Sequence, residues 1–168
     1  MGMIIGIRRL MRVRRTLRIQ KKTVVFTNGT FDIIHRGHVE YLAKAKRMGD
    51  VLIVGLNTDD SIRRIKGKGR PINTNRNRAA VLAALMAVDY VCFFGENTPG
   101  RIIDQLVPDV LVKGADWSKE NIVGRETVER HGGTVRTVRL TPGLSTTATI
   151  ERVLASYQGK KANPRGRT

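Results

Sequence analysis

The stretch FTNGTFDIIHRGH, residues 26–38, decides the fold. A β-branched apolar run, TVVFT at 23–27, leads into it, and Asn28, Gly29 and Thr30 make a turn of small residues. The chain leaves through His-Arg-Gly-His into VEYLAKAKRM, 39–48, whose apolar residues recur at helical spacing. Strand, glycine turn and helix form the first half of a parallel β–α–β unit. Short apolar runs at 51–56, 90–94, 110–112 and 134–138 read as further strands, separated by helical segments such as RNRAAVLAALMAV at 76–88. This alternation predicts one α/β domain, a five-stranded parallel sheet with helices on both faces. In such sheets ligands bind beyond the carboxyl ends of the strands, so strand-to-helix junctions are where function is expected.

The chain has three histidines, and two of them, His35 and His38, stand three residues apart in this junction with Gly37 between them. That spacing puts both on one side of the first helical turn. A helix N-terminus already offers free N–H groups and the positive end of the dipole to an anion, and imidazole donors there suit a phosphate. A zinc site lacks further ligands: His131 is distant, Cys92 is the single cysteine, and no protein-bound metal is expected. Cys92, inside the apolar run YVCFF, is expected to pack in the core.

At 168 residues the chain is long enough to bury one real core, and 40% hydrophobic with 27% charged residues is a globular balance. The net charge of +17 is concentrated at the ends. Residues 1–22 hold eight Arg and Lys and 158–168 hold four, with no acid in either; 23–157 carry 19 basic against 14 acidic residues. The expected organisation is a solvated basic arm over 1–20, a domain over 21–157 and a disordered basic tail over 158–168. Nonspecific contact of the ends with nucleic acid or an anionic membrane is the lesser reading of this charge. Because all motifs follow Lys22, removing residues 1–18 is expected to leave the site intact. The first twenty residues have the wrong order of charge for a secretory signal, and no run approaches the roughly 18 apolar residues of a membrane span, so a cytoplasmic location is expected.

Two further motifs carry charge or helix ends. RRIKGKGRP, 63–71, alternates glycine with Lys66, Lys68 and Arg70, which is either a solvated loop or a phosphate grip. LSTT, 144–147, precedes a helical segment; Ser145 or Thr146 reads as an N-cap, and the helix start is a second anion site. VLVKGADW, 110–117, ends a strand at Gly114, with Lys113 either structural or on phosphate, Asp116 placed to read a base edge, and Trp117 expected to close the core.

Taken in order, FTNGTFDIIHRGH, KGKGRPIN, RNRAAVLAAL, PDVLVKGADW and LSTT resemble the cytidylyltransferase-like nucleotidyltransferases over residues 21 to 155. Within that family they are most similar to domains that adenylylate D-glycero-β-D-manno-heptose 1-phosphate. The resemblance implies a Rossmann-like domain that joins a nucleoside triphosphate, ATP before CTP, to a sugar phosphate, with Mg²⁺ arriving on the triphosphate. It implies catalytic roles for His35, His38 and Lys66. Nucleotide contacts are implied for Thr27, Asn28, Gly29, Thr30, Phe31, Gly37, Arg78, Lys113, Gly114, Asp116, Ser145, Thr146 and Thr147. Asp32 and Arg70 are expected at the acceptor, Asp32 alternatively as an orienting group. A homodimer and a separate sugar kinase supplying the 1-phosphate are expected. Glycerol-phosphate cytidylyltransferases usually carry an Arg shortly before the Ser-Thr-Thr segment; Leu140 stands there in this chain, with Arg139 beside it. That departure weakens a cytidylyltransferase for glycerol 3-phosphate or another small alcohol phosphate, which remains the alternative. A second alternative is a nucleic-acid-associated protein with a vestigial nucleotide site.

Overall fold

The structure, a computed structural model, describes residues 1–161. Its strands are β1 (Met3–Ile4), β2 (Val24–Gly29), β3 (Val51–Asn57), β4 (Tyr90–Phe94), β5 (Val110–Gly114) and β6 (Thr134–Val138). Helices α1 (Ile7–Ile19), α2 (Arg36–Lys46), α3 (Asp59–Lys66), α4 (Asn75–Ala84), α5 (Gly100–Leu106), α6 (Arg125–Arg130) and α7 (Thr146–Lys161) intervene and follow. All pairings are parallel, in the order β1-β4-β3-β2-β5-β6. From β2 the chain builds outward through β3 and β4, then crosses back to place β5 on the other side of β2. The order reverses between β2 and β5, so the crevice for a ligand opens at Asn28–Gly29 and Lys113–Gly114.

Strand alternation fills the two faces of the sheet. Val25, Leu52, Val54 and Val112 point to one side and pack with Leu42, Ala45 and Leu82 of α2 and α4. Val24, Phe26, Ile53 and Leu111 point to the other and pack with Leu10, Ile103, Leu106 and Val128 of α1, α5 and α6. Buried Cys92 lies in this second cluster, as the sequence suggests, and burial pushes its thiol up to about 11. Side-chain caps start the helices around the crevice: Thr58 accepts from the Ser61 N–H, Thr74 from the Asn77 N–H and Ser145 from the Ala148 N–H.

The sheet has six strands where the sequence suggests five, and the extra one comes from the segment expected to be a solvated arm. Met3 and Ile4 pair with Tyr90 and Val91, and α1 lies over the sheet with Leu10 and Leu17 buried. Arg14 is buried too, which a basic arm would not predict. Its Nε donates to the Leu106 carbonyl (3.2 Å), and its Nη2 donates to the Val107 carbonyl (2.7 Å) and to Asp109 Oδ1 (2.8 Å). Asp109 Oδ2 in turn accepts from the Val24 N–H. One arginine thus satisfies the carbonyls at the end of α5 and ties them to the start of β2. Hydrophobic residues at 10 and 17, two turns apart, carry the signal for this helix, and the arginines between them mask it. At the other end, α7 runs through Lys161, into the segment expected to be disordered; the rest of that segment, 162–168, lies outside the described residues.

Candidate active site

A cavity of about 460 Å³ opens at the β2–β5 crevice. Two helix N-termini meet in it. Thr30 to His35 connect β2 to α2, with Phe31 held at φ 42°, and His35 is the N-cap, extended and making no side-chain capping bond. The α2 N-terminus is therefore left to whatever the cavity holds. Across it, Ser145, Thr146 and Thr147 begin α7; Ser145 caps that helix, and Thr146 Oγ1 donates to the Ile33 carbonyl (3.5 Å). Gly37 is required where the two approach: a Cβ there would meet the His35 ring at 3.1 Å and the Leu144 Cβ at 3.5 Å.

The two imidazoles stack, with ring centroids 3.9 Å apart and planes 26° from parallel, and Phe31 braces His38 at 5.3 Å. The Nδ1 atoms of both are buried and have no hydrogen-bond partner in the protein. Burial lowers His35, and burial, the neighbouring His35 and the Lys66 ammonium together lower His38 to about 4. In the free protein at neutral pH both rings are neutral. An anion brought beside them works in the opposite direction and favours their protonated forms.

Lys66, the last residue of α3, stands at the cavity edge, its pKa lowered by partial burial and by Arg70 against the opposing pull of Asp32. Lys113, at the end of β5, is the more deeply placed amine. It donates to Asn28 Oδ1 across the two central strands, and burial brings it down to about 8 although Asp116 pulls the other way. Tyr41 forms part of the floor: its hydroxyl donates to the Val112 carbonyl (3.1 Å), shares a hydrogen bond with Thr27 Oγ1 (2.7 Å), and burial pushes it up to about 12.

Of the residues singled out in the sequence, Asn28, Gly29, Thr30, Phe31, His35, Gly37, His38, Lys66, Lys113, Gly114, Asp116, Ser145, Thr146 and Thr147 line this cavity. Three others, Thr27, Arg78 and Trp117, are placed differently from expectation, and Asp32 and Arg70 pair with each other. Thr27 is fully buried beneath the floor, where it orients Tyr41 and does not reach a nucleotide. Arg78 has a completely buried side chain: it donates to the carbonyls of Asn73 (3.1 Å), Thr30 (2.6 Å) and Asn57 (2.8 Å) and to Asp59 Oδ1 (2.7 Å). Four of its five N–H donors go to three neighbouring segments and Asp59, so it positions the walls of the site. Asp32 is buried and takes the orienting alternative, accepting from Arg70 Nε (2.8 Å) and the N–H groups of Ile72 (3.0 Å) and Asn73 (2.9 Å). Burial raises its pKa, but these three donors outweigh it and hold the carboxyl below the ordinary range. Arg70 is thereby tethered through Nε, and its buried Nη2 has no partner in the protein. Trp117 does not close the core; it is 52% exposed on the cavity rim.

Sequence reasoning missed Tyr41, Asn57, Thr141 and Leu144 on the cavity wall. Two were within reach: Asn57 ends a strand as Asn28 does, and Tyr41 follows His38 by three residues on the same helix face. Thr141, which donates to Glu40 Oε2 (2.5 Å), and Leu144 come from an irregular segment with no periodic signal. Among the described residues, no group of three or more His, Cys, Asp or Glu side chains could hold a metal ion, and no helix is long and apolar enough to cross a membrane.

Known proteins resemble this chain in sequence and fold. The chain is 55% identical over 137 residues to the bifunctional protein HldE of Syntrophotalea carbinolica, a match covering 82% of this chain. The chain spans only 28% of that relative's length. The crystal structure of a lipopolysaccharide core biosynthesis protein from Thermoplasma volcanium is 31% identical with a TM-score of 0.59, covering 71% of this chain and 97% of that one. Pantoate-beta-alanine ligase from Francisella tularensis, at 16% identity and a TM-score of 0.60 over 94% of this chain and 78% of that one, shares the fold. Residues 26–152, most of the sheet and every motif of the cavity, match the cytidylyltransferase-like family, and the chain belongs to it.

Proposed function

We propose that the chain transfers an adenylyl group from ATP to D-glycero-β-D-manno-heptose 1-phosphate, giving ADP-heptose and pyrophosphate. The observation that carries this reading is the pair of stacked histidines whose buried Nδ1 atoms lack partners at the start of α2, opposite the α7 N-terminus. The kinship to HldE, a protein named bifunctional, and to a protein titled for lipopolysaccharide core biosynthesis supports a sugar phosphate as acceptor.

In the reaction an oxygen of the sugar 1-phosphate bonds to the α-phosphorus, the bond from that phosphorus to the bridging oxygen of the β-phosphate breaks, and pyrophosphate leaves with the electron pair. The nucleophile is already an anion, so no proton has to be removed. The work is to gather negative charge and to hold the phosphates in line. His35 and His38 donate to the transferring phosphate, Lys66 neutralises it from the cavity edge, and the α7 N-terminus with Ser145, Thr146 and Thr147 receives the leaving pyrophosphate. Mg²⁺ arriving with the triphosphate would neutralise charge on the leaving group. Asp32 and Arg70, held in their ion pair, shape the acceptor side, with the guanidinium nitrogens that Asp32 does not engage left for the sugar phosphate. The adenine edge meets Gly114 and Asp116, beside Leu140, whose side chain packs within 3.2 Å of where a Gly114 Cβ would stand. An apolar Leu140 in place of a cation disfavours the glycerol-phosphate alternative.

We read the β2–β5 cavity as a triphosphate site set for attack at the α-phosphorus, so a separate sugar kinase would supply the sugar 1-phosphate. A homodimer would have apolar surface to use, since Val153, Leu154 and Tyr157 are exposed on one side of α7. The test is pyrophosphate release from ATP and CTP with heptose 1-phosphate, heptose 7-phosphate and glycerol 3-phosphate. Release is expected with ATP and heptose 1-phosphate; turnover of CTP with glycerol 3-phosphate, or ADP formed from ATP and heptose 7-phosphate, overturns the assignment.

A further inference from the structure

Helix α1 uses its apolar side on the core and turns a row of arginines outward. At 100° per residue Arg8, Arg12 and Arg15 fall on the side opposite Leu10, Arg14 and Leu17, with Arg9 and Arg18 flanking them. All five are exposed, and none of them forms a salt bridge with a carboxylate among the described residues. The only arginine of the helix with an acidic partner is the buried Arg14. A solvated charged face normally mixes signs, because unrelieved repulsion along one helix opposes its formation. This face contains no acid at all.

Two grooves run beside the helix. One, about 470 Å³, is lined by Arg9 and Arg12 with Gln20 and Tyr90; the other, about 320 Å³, by Arg15 and Arg18 with Gln105. Apolar residues mark both ends of the ridge: Met3, in register with Tyr90 on the α1 face of the sheet, is 45% exposed before it, and Ile19, on the same outer side as Arg12, is 83% exposed at its end. Met86, 98% exposed, sits in the turn between Ala83 and Val88, the residues against which Gly2 packs.

We propose that the outer face of α1 docks the protein on a membrane surface carrying acidic phospholipid headgroups, with the arginines on the lipid phosphates and the apolar ends entering the interface. The apolar residues favour a bilayer over a nucleic acid, whose phosphate backbone offers them nothing to bury against. The proposal is independent of the nucleotidyl-transfer reading, since α1 lies on the opposite face of the sheet from α2 and contributes nothing to the cavity.

The test is sedimentation of the full chain with vesicles of phosphatidylcholine alone or with 30% phosphatidylglycerol, at low and high salt. Binding is expected to the anionic vesicles only and to fall with salt. Each arginine near such a surface contributes on the order of 1 kcal/mol, so R8Q/R12Q/R15Q should weaken vesicle binding by roughly 100-fold. The variant should keep its thermal midpoint and pyrophosphate release. The charge-matched R47Q/R130Q/R136Q, on exposed positions elsewhere, should bind vesicles like the parent, and M3S/I19S should bind more weakly at unchanged charge. Equal loss in both arginine variants, equal binding to neutral vesicles, or displacement from anionic vesicles by a duplex DNA competitor at equal phosphate would overturn the proposal.

Discussion

His35 and His38 stack face to face at 3.9 Å, and neither Nδ1 has a partner in the protein. Two imidazoles held this close are not held for their mutual attraction, since burial beside His35 lowers the affinity of His38 for a proton. Their arrangement is useful only to a ligand that supplies the missing negative charge. Replacing either by Ala removes a donor aimed at the transferring phosphate, and turnover should fall by about 10²-fold or more with the thermal midpoint little changed. Near-parental pyrophosphate release from either folded variant would remove the histidines from the mechanism.

The low pKa of His38 makes stability depend on pH. Burial, then His35 and Lys66, bring it from 6.5 to about 4 on folding, so between these values the unfolded chain binds more protons than the folded one. The contribution is complete above pH 6.5 and is lost as the pH falls towards 4. Urea midpoints at pH 7, 5.5 and 4.5 should drop more steeply for the parent than for His38→Gln. Parallel curves would mean that His38 titrates normally.

Binding of the triphosphate should run the same linkage in reverse. Phosphates beside His35 and His38 raise both, so ATP binding near pH 6 should take up protons and tighten as the pH falls. Calorimetry in two buffers of different ionisation enthalpy reads the proton count directly, and His38→Gln should reduce it. Equal apparent enthalpies in both buffers for the parent would contradict the electrostatic reading of the site.

Arg78 should matter as much as any residue in the cavity without touching it. Arg78→Ala strands three backbone carbonyls and the Asp59 carboxylate, and breaking a buried ion pair from one side costs about 3 to 5 kcal/mol. Arg78→Lys keeps the charge but loses the fork, so an intermediate loss is expected. Denaturant unfolding measures both; a cost for Arg78→Ala below about 1 kcal/mol would show that the loops hold their positions unaided.

Removing residues 1–18 is predicted by the structure to do the opposite of what the charge pattern suggests. Without α1, the apolar surface of Ile103 and Leu106 loses its cover, and the buried contacts of Arg14 with Leu106, Val107 and Asp109 disappear. The truncated chain should be largely insoluble. Leu10→Ala, a milder probe, should cost about 2 to 5 kcal/mol in urea unfolding. A soluble truncation with parental activity would return residues 1–18 to the role of an arm.

Local order in the chain was sufficient for much of this. The strands at 24–29, 51–57, 90–94, 110–114 and 134–138 follow from short apolar runs, and the glycine turn followed by His-x-Gly-His marks the one junction where a helix start, donors and a strand end coincide. Those signals are contiguous, so they survive without knowledge of what packs where. Partners distant in sequence could not be read this way. Arg70 and Arg78 read in the sequence as groups waiting for a phosphate and Asp32 as an acceptor or orienting group, and only the folded chain brings Asp32 to the N–H groups 40 residues on and Arg78 to the carbonyls of three segments. The same holds for α1: a run of arginines reads as solvated until its two buried leucines meet α5. Whether a cation in this chain binds a ligand or holds the backbone depends on which unpaired oxygens the fold delivers to it, and that was decided by tertiary structure alone.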